Sequence, residues 1–187
     1  MNIALDRAHG SNVAGKQSPE GRKEWEWSQM VIDLLIPMLQ KEGHTVYNIV
    51  SEPTEPGLNE RVKRMNNIPS PALVLSLHNN AAGMGNKWMN ARGWSLWTSK
   101  GQTRSDELAT ELYCLLRQEF HELPYRTDFS DGDPDYDAHF TVLTSKHPSV
   151  MIEWMFQDNR QDSEIIWDNK FNIRLCKTIV SWISSIK

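Results

Sequence analysis

The chain has 187 residues, of which 39% are hydrophobic and 24% are charged, and its formal net charge is −4. This length and composition predict one soluble globular domain over residues 1–187 with a full hydrophobic core, and we expect it to be a monomer. The weak acidic excess gives no electrostatic reason to expect a nucleic acid or an anionic membrane as partner. No apolar stretch approaches the roughly 20 residues of a membrane span, and Asp6 comes too early for a signal peptide. The sequence therefore predicts synthesis in the cytoplasm.

Strand-like and helix-like patterns alternate along the chain. We expect strands at residues 2–6, 44–50, 72–77 and 94–97, and short ones around 140–143 and 149–153. We expect helices at residues 22–42, at 58–67, from Ser105 onward and at 162–184, with long loops at 79–93 and 124–138. Pro37 lies inside the first helix and predicts a kink or an early end. The alternation predicts a single α/β domain: a mostly parallel or mixed twisted sheet of about six strands with helices on both faces.

Three side chains capable of metal or proton chemistry stand at the ends of predicted strands. His9 follows the apolar run 3–5, His78 follows the run 72–77, and Glu153 follows 150–152. In open α/β sheets, ligand-binding and catalytic groups gather at the carboxyl ends of the strands. A lone histidine after a strand is also common on an ordinary surface, so His9 and His78 gain weight only if their strands are neighbours. An unpaired carboxylate in the apolar run around Glu153 would be costly, which favours a metal, a catalytic role or a structural ion pair.

A fourth candidate is Glu24 at the start of the first long helix. That helix returns across the sheet, so its first turn should lie near the end of the first strand, within range of His9. Glu20 and Glu26 compete for the role, and an acidic residue in a first helical turn is also favoured by the helix dipole alone. Two imidazoles and two carboxylates nevertheless have the composition of a catalytic zinc site.

The acidic stretch 131–137 suggests calcium binding at first sight. It does not match the EF-hand loop, because its glycine is misplaced and Val142 stands where the loop needs a bidentate Glu. The chain has no nucleophile elbow, P-loop or dinucleotide-binding fingerprint either.

Four segments carry motifs at compatible spacings. Asp6–Gly10 matches Asp-x-Gly-His-Gly except for Ala8, and Glu24 opens a helix with Ser28 where the motif usually has Asn. Ser76–Asn80 matches Ser-x-His-x-Asn, and residues 150–159 match a strand that ends in Glu and is followed by apolar residues and Asn. In this order and over nearly the whole chain, the motifs resemble those of the zinc-dependent N-acetylmuramoyl-L-alanine amidases. In this motif, the Asn usually stands four residues after the Glu. Ser28 stands four residues after Glu24, whereas Met30 stands four residues after Glu26, so the motif favours Glu24 over Glu26.

The resemblance implies an enzyme that cuts the amide bond between N-acetylmuramic acid and the L-alanine of the peptidoglycan stem peptide. It implies that His9, Glu24 and His78 bind Zn²⁺ with a water in the fourth position, and that Glu153 is the general base. Asn80 would orient the substrate or the neighbouring loop. A lone amidase catalytic domain without a wall-binding domain or signal peptide is similar to a phage or prophage endolysin, which reaches the cell wall by another route.

Two alternatives stay open on the sequence. A zinc carboxypeptidase-like hydrolase would need an arginine for the substrate carboxylate, and Arg92 or Arg126 could supply it. A non-catalytic peptidoglycan-binding module would keep the fold without turnover.

Overall fold

The computed structural model describes residues 1–186 and has one six-stranded sheet. The strands are β1 (Asn2–Arg7), β2 (Thr45–Asn48), β3 (Ala72–Asn80), β4 (Ser95–Thr98), β5 (Tyr136–Asp137) and β6 (Ser149–Phe156). The helices are α1 (Glu24–Lys41), α2 (Leu58–Asn66), α3 (Arg104–Glu119), α4 (Arg160–Ile166) and α5 (Asn169–Ser185). The strand order is β2-β1-β3-β6-β4-β5. The first four strands in this order are parallel, β4 is antiparallel to β6, and β5 is parallel to β4.

The central strands are buried on both faces because helices cover both sides of the sheet. Side chains that alternate along a strand point to opposite faces. Ile3 and Leu5 of β1 therefore join the larger core with α1, α3 and α5, whereas Ala4 joins the smaller core on the other face. The predicted α/β class, with a mostly parallel sheet and helices on both faces, is confirmed. No helix within residues 1–186 has the length and apolar character needed to cross a bilayer.

Several element boundaries differ from the sequence prediction. Thr141–Leu143 forms a 3₁₀ helix rather than a strand, because Val142 and Leu143 turn into the smaller core. Such short apolar runs fit a strand and a buried turn equally well. The acidic stretch predicted as irregular contains the short strand β5. Helix α1 continues past Pro37 to Lys41, so the early end is wrong; Leu35 and Leu39, on either side of the proline, are fully buried and anchor both halves.

The predicted last helix is two helices. The side chain of Asn159 caps α4 by accepting from the backbone N–H groups of Gln161 and Asp162. Asp168 caps α5 by accepting from the N–H of Lys170. Two N-caps within ten residues define two helix starts, although the apolar spacing continues across the break.

Candidate metal centre

The sheet order brings the three predicted strand-end residues to one edge. Strand β3 lies between β1 and β6, so Asp6 is in register with Ser76, and His78 is in register with Glu153. All three strands run parallel, and their carboxyl ends therefore open at the same place. Strands β1 and β3 are therefore neighbours, which was the condition for treating His9 and His78 as site candidates.

The turn after β1 aims the His9 ring at the site. His9 has a left-handed backbone with φ of 43°, and a Cβ on Gly10 would clash with the backbone nitrogen of Glu55. Only glycine allows that approach of the 53–55 loop. Ala8, which departs from the motif, is fully buried and is not in the left-handed region, so this position does not need glycine. The second departure, Ser28, accepts from the Ala8 N–H and donates to the Leu77 carbonyl, which joins α1 to the ends of β1 and β3.

His9, Glu24 and His78 form a compact group of donor atoms. Nδ1 of His78 lies 3.0 Å from Oε1 of Glu24, and Nε2 of His9 lies 3.7 Å from Oε2. One donor atom from each residue lies within 4.8 Å of the other two. Glu24 is 2% exposed, whereas Glu26, two residues on, is exposed and points away.

Burial and mutual contacts set the protonation of His9, His78 and Glu24. Burial lowers the pKa of His9 to about 4, against an opposing effect of Glu24, so the ring is neutral as a ligand must be. For His78, burial alone would lower the pKa, but the hydrogen bond to Glu24 and the negative charges of Glu24 and Glu153 together outweigh it, and the pKa is raised. For Glu24, burial alone would raise the pKa, but His78 and His9 outweigh it and the pKa is lowered.

An unsatisfied nitrogen supports the fit of a cation to this group. Nε2 of His78 is buried and has no hydrogen-bond partner among residues 1–186. Buried polar atoms without partners are rare and costly, and a metal ion is one way to satisfy them. Two imidazoles and one carboxylate are also the protein ligands of one class of catalytic zinc sites.

Glu153 lies beside this group of donor atoms, in register with His78. Its side chain is half-buried, and its Oε2 is buried without a hydrogen-bond partner among residues 1–186. Burial raises the pKa of Glu153 to about 7; His78 and Lys16 oppose this rise and Glu24 adds to it. The carboxyl can therefore exchange a proton near neutral pH.

A cavity of about 250 Å³ opens onto these groups. His9, His78 and Glu153 line it, together with Lys16, Glu55 and Phe140. Lys16 and Glu55 lie in loops without a regular pattern, so no sequence motif predicts that either lines the cavity.

Asn80 lies outside the cavity lining. Its side-chain oxygen accepts from the N–H of Ala81, and its backbone carbonyl accepts from the N–H of Gln157. These contacts favour the loop-orienting alternative over contact with substrate. The neighbouring Asn79, which the sequence analysis did not single out, is buried and donates from its side chain to the Trp154 carbonyl 2.7 Å away.

Neither arginine of the carboxypeptidase alternative lines the cavity. Nε of Arg92 donates to Oδ1 of Asp162 at 2.8 Å, and Arg126 lies over the ring of Phe156. Arg61 does line the cavity, but its guanidinium is engaged by Asp6 and Glu55. This observation weakens the carboxypeptidase alternative.

A buried ion pair supports the β1 end of the site. Nε of Arg61 donates to Oδ1 of Asp6 at 2.9 Å, and both side chains are almost fully buried. Removing one partner of such a pair leaves an uncompensated buried charge. We therefore expect Arg61→Met to lower the free energy of unfolding in urea by about 3–5 kcal/mol.

The matched control lies one turn along the same helix. Arg64 pairs with Glu52, and both side chains are about one-third or more exposed. Arg64→Met should lower the free energy of unfolding by about 1 kcal/mol or less. Equal losses in the two variants would contradict a special role for the buried pair.

Comparison with known proteins identifies the family. The profile of a family described as N-acetylmuramoyl-L-alanine amidase matches residues 3–185. A comparison with curated proteins gives no match. An N-acetylmuramoyl-L-alanine amidase from Clostridium difficile 630 is 25% identical, with a TM-score of 0.82 over 98% of this chain and 95% of that one.

Two further solved structures share the fold. The catalytic domain of CwlV, an N-acetylmuramoyl-L-alanine amidase from Bacillus (Paenibacillus) polymyxa var. colistinus, is 18% identical, with a TM-score of 0.81 over 98% of this chain and 96% of that one. The catalytic domain of the CD27L endolysin, which targets Clostridia Difficile, is 20% identical, with a TM-score of 0.71 over 98% and 96%. With the family profile covering nearly its whole length, this chain belongs to the N-acetylmuramoyl-L-alanine amidase family of peptidoglycan hydrolases.

Proposed function

We propose that the protein is a zinc-dependent N-acetylmuramoyl-L-alanine amidase that uses Glu153 as its general base. The observation that carries the proposal is the grouping of His9, Glu24 and His78 within 4.8 Å of one another, in a chain of the amidase family. The second support is Glu153, an unsatisfied carboxyl on the wall of the same cavity. The substrate bond is the amide between the lactyl group of N-acetylmuramic acid and the first L-alanine of the stem peptide.

His9, Glu24 and His78 would hold the zinc ion. A bound zinc supplies a Lewis acid that polarises a carbonyl and lowers the pKa of water to about 7. Glu24 is fixed for this role by two further donors, the N–H of Asn79 at 3.1 Å and the side-chain amide of Gln157 at 3.1 Å. Such outer contacts orient a ligand and hold its carboxylate in place.

Glu153 would carry the proton. Its Oε2 has no hydrogen bond to break, so it can accept a proton from a water that enters the cavity. The same carboxyl would then pass the proton to the leaving amine of the L-alanine, as amide cleavage requires. The positive charge of Lys16, on the same cavity lining, favours the ionised form of Glu153 between turnovers.

Product analysis tests the bond specificity. Purified peptidoglycan digested with the zinc-loaded protein should release stem peptides with a free L-alanine amino terminus and leave glycan strands intact, as seen by mass spectrometry. Release of free C-terminal amino acids instead would support the carboxypeptidase alternative. Wall binding without any released product would support the non-catalytic module.

The setting of the enzyme is a separate proposal. We propose a phage or prophage endolysin that is made in the cytoplasm and reaches the wall through a separate membrane pore. Culture lysis with and without a co-expressed pore protein tests this route, since lysis without the pore would contradict it.

A further inference from the structure

Three aspartates converge between the start of α3 and the strand β5. Asp106 lies in the first turn of α3, and Asp133 and Asp135 lie just before β5. One carboxylate oxygen from each lies within 4.8 Å of the other two. We call these three residues the aspartate cluster.

The cluster is separate from the candidate metal centre. Ser95 at the start of β4 is in register with Glu153, whereas Thr98, which contacts the cluster, ends the same strand. Three residues along a strand correspond to about 10 Å. Because β4 is antiparallel to β6, the cluster lies toward the start of β6, away from Glu153.

The cluster has fewer hydrogen-bond donors than acceptors. The Thr98 hydroxyl has one proton, yet it lies 2.9 Å from Oδ1 of Asp106 and 2.8 Å from Oδ2 of Asp135. Asp135 is 2% exposed, and its Oδ1 is buried without a hydrogen-bond partner among residues 1–186. The Oδ1 of Asp133 is buried and unpartnered in the same way.

Within residues 1–186, no positive side chain forms an ion pair with these carboxylates. Burial raises the pKa of Asp135 to about 8; the Thr98 hydrogen bond opposes this rise, and Asp133 and Asp106 add to it. Buried carboxylates of like charge need either a shared proton or a cation.

We propose that Asp106, Asp133 and Asp135 bind a Ca²⁺ ion. The ligand atoms are all oxygens, which suits a hard cation better than zinc, whose protein sites normally include nitrogen or sulfur ligands. Calcium lies about 2.3–2.6 Å from its ligands, so two oxygens of one coordination shell are at most about 4.6–5.2 Å apart. Carboxylates from a helix and a loop also suit the flexible geometry of calcium better than the strict octahedron of magnesium.

The EF-hand sequence motif does not match this site because its ligands are far apart in the sequence. Asp106 precedes the other two ligands by more than twenty residues, and the acidic stretch alone does not match an EF-hand. The Thr98 hydroxyl is placed to serve as a neutral oxygen ligand, and waters would complete the six to eight positions.

Binding there would order one wall of the catalytic cavity. Tyr136 follows Asp135 and stacks on Trp97 with ring centroids 4.7 Å apart. Phe140, four residues further on, contacts Trp97 and lines the cavity. A calcium ion would link residues 133–140 to the start of α3 through Asp106, without contacting the zinc ligands.

Thermal unfolding of the zinc-loaded full chain in calcium-free buffer, with and without added CaCl₂, tests the proposal. Saturating Ca²⁺ should raise the midpoint of the wild type by roughly 5–10 °C, as expected for a ligand at about 100 times its Kd on a domain of this size. The double variant Asp133→Asn with Asp135→Asn should show no calcium shift. Without calcium it should be at least as stable as the wild type, because the substitution removes two repelling charges while keeping the shape.

The control variant is Asp131→Asn, which removes one charge from an exposed residue of the same loop. It should keep the full calcium shift. Tb³⁺ binding, followed by emission sensitised through the nearby Trp97, should be lost in the double variant and displaced by Ca²⁺ in the wild type. No calcium shift in the wild type, an equal shift in the double variant, or an equal shift with Mg²⁺ would overturn the assignment.

Discussion

Replacing Glu153 with Gln is expected to reduce kcat for peptidoglycan hydrolysis by about 10²–10⁴-fold, the usual contribution of a general base. Glutamine has the same shape but cannot accept and return a proton. Its position on the cavity wall beside His78 is kept, so the fold and the metal-binding group should be unaffected. The zinc content should stay at one per chain, which elemental analysis of the same preparation measures.

The control for this variant is Glu164→Gln. Glu164 is an exposed glutamate of α4, outside the cavity lining, so its loss should leave kcat unchanged. In Glu153→Gln, by contrast, kcat should fall while KM changes little, since the Glu153 carboxylate acts in the transition state. Full activity in the Glu153→Gln enzyme would show that Glu153 is not the general base.

Replacing Glu24 with Gln is expected to abolish both stoichiometric zinc binding and activity. Glu24 is the only carboxylate of the proposed ligand set, and its donor atom lies within 4.8 Å of those of His9 and His78. Changing an outer partner of a metal ligand typically costs 10–100-fold in affinity, so we expect losing the ligand itself to cost more than about 100-fold. Titration with zinc, followed calorimetrically, measures this loss.

Glu26→Gln provides the matched control in the same helical turn. Glu26 is exposed, and its loss should leave zinc affinity and lysis unchanged. Circular dichroism should show that both variants keep the fold. Equal zinc affinity in the two variants would contradict the choice of Glu24, which on the sequence depended on motif offset and helix facing alone.

The site residues on strands were predictable because of the chemistry of parallel sheets. His9, His78 and Glu153 follow apolar runs, and parallel strands open at one edge whatever their order. The sequence pattern does not show that β6 lies beside β3, because the strand that follows β3 in the chain, β4, lies beyond β6. That neighbourhood, which places Glu153 opposite His78, comes from the tertiary fold.

Residues outside regular elements were not predictable in this way. Lys16 and Glu55 reach the cavity from loops, and Asp106 meets Asp135 across more than twenty residues. Local patterns contain no information on such contacts. The division of the last predicted helix into α4 and α5, by contrast, does have a sequence signal. Asn159 and Asp168 are typical N-cap residues and each marks a helix start, but the apolar spacing that continues across the break makes the two helices look like one.

We expect amide cleavage to depend on zinc held by His9, Glu24 and His78. The most direct test is to measure zinc per chain and release of L-alanine-terminated stem peptides on chelator-treated protein as zinc is added back stepwise. The proposal predicts no release without zinc and a linear rise that ends at one zinc per chain. Full release by zinc-free protein would contradict it.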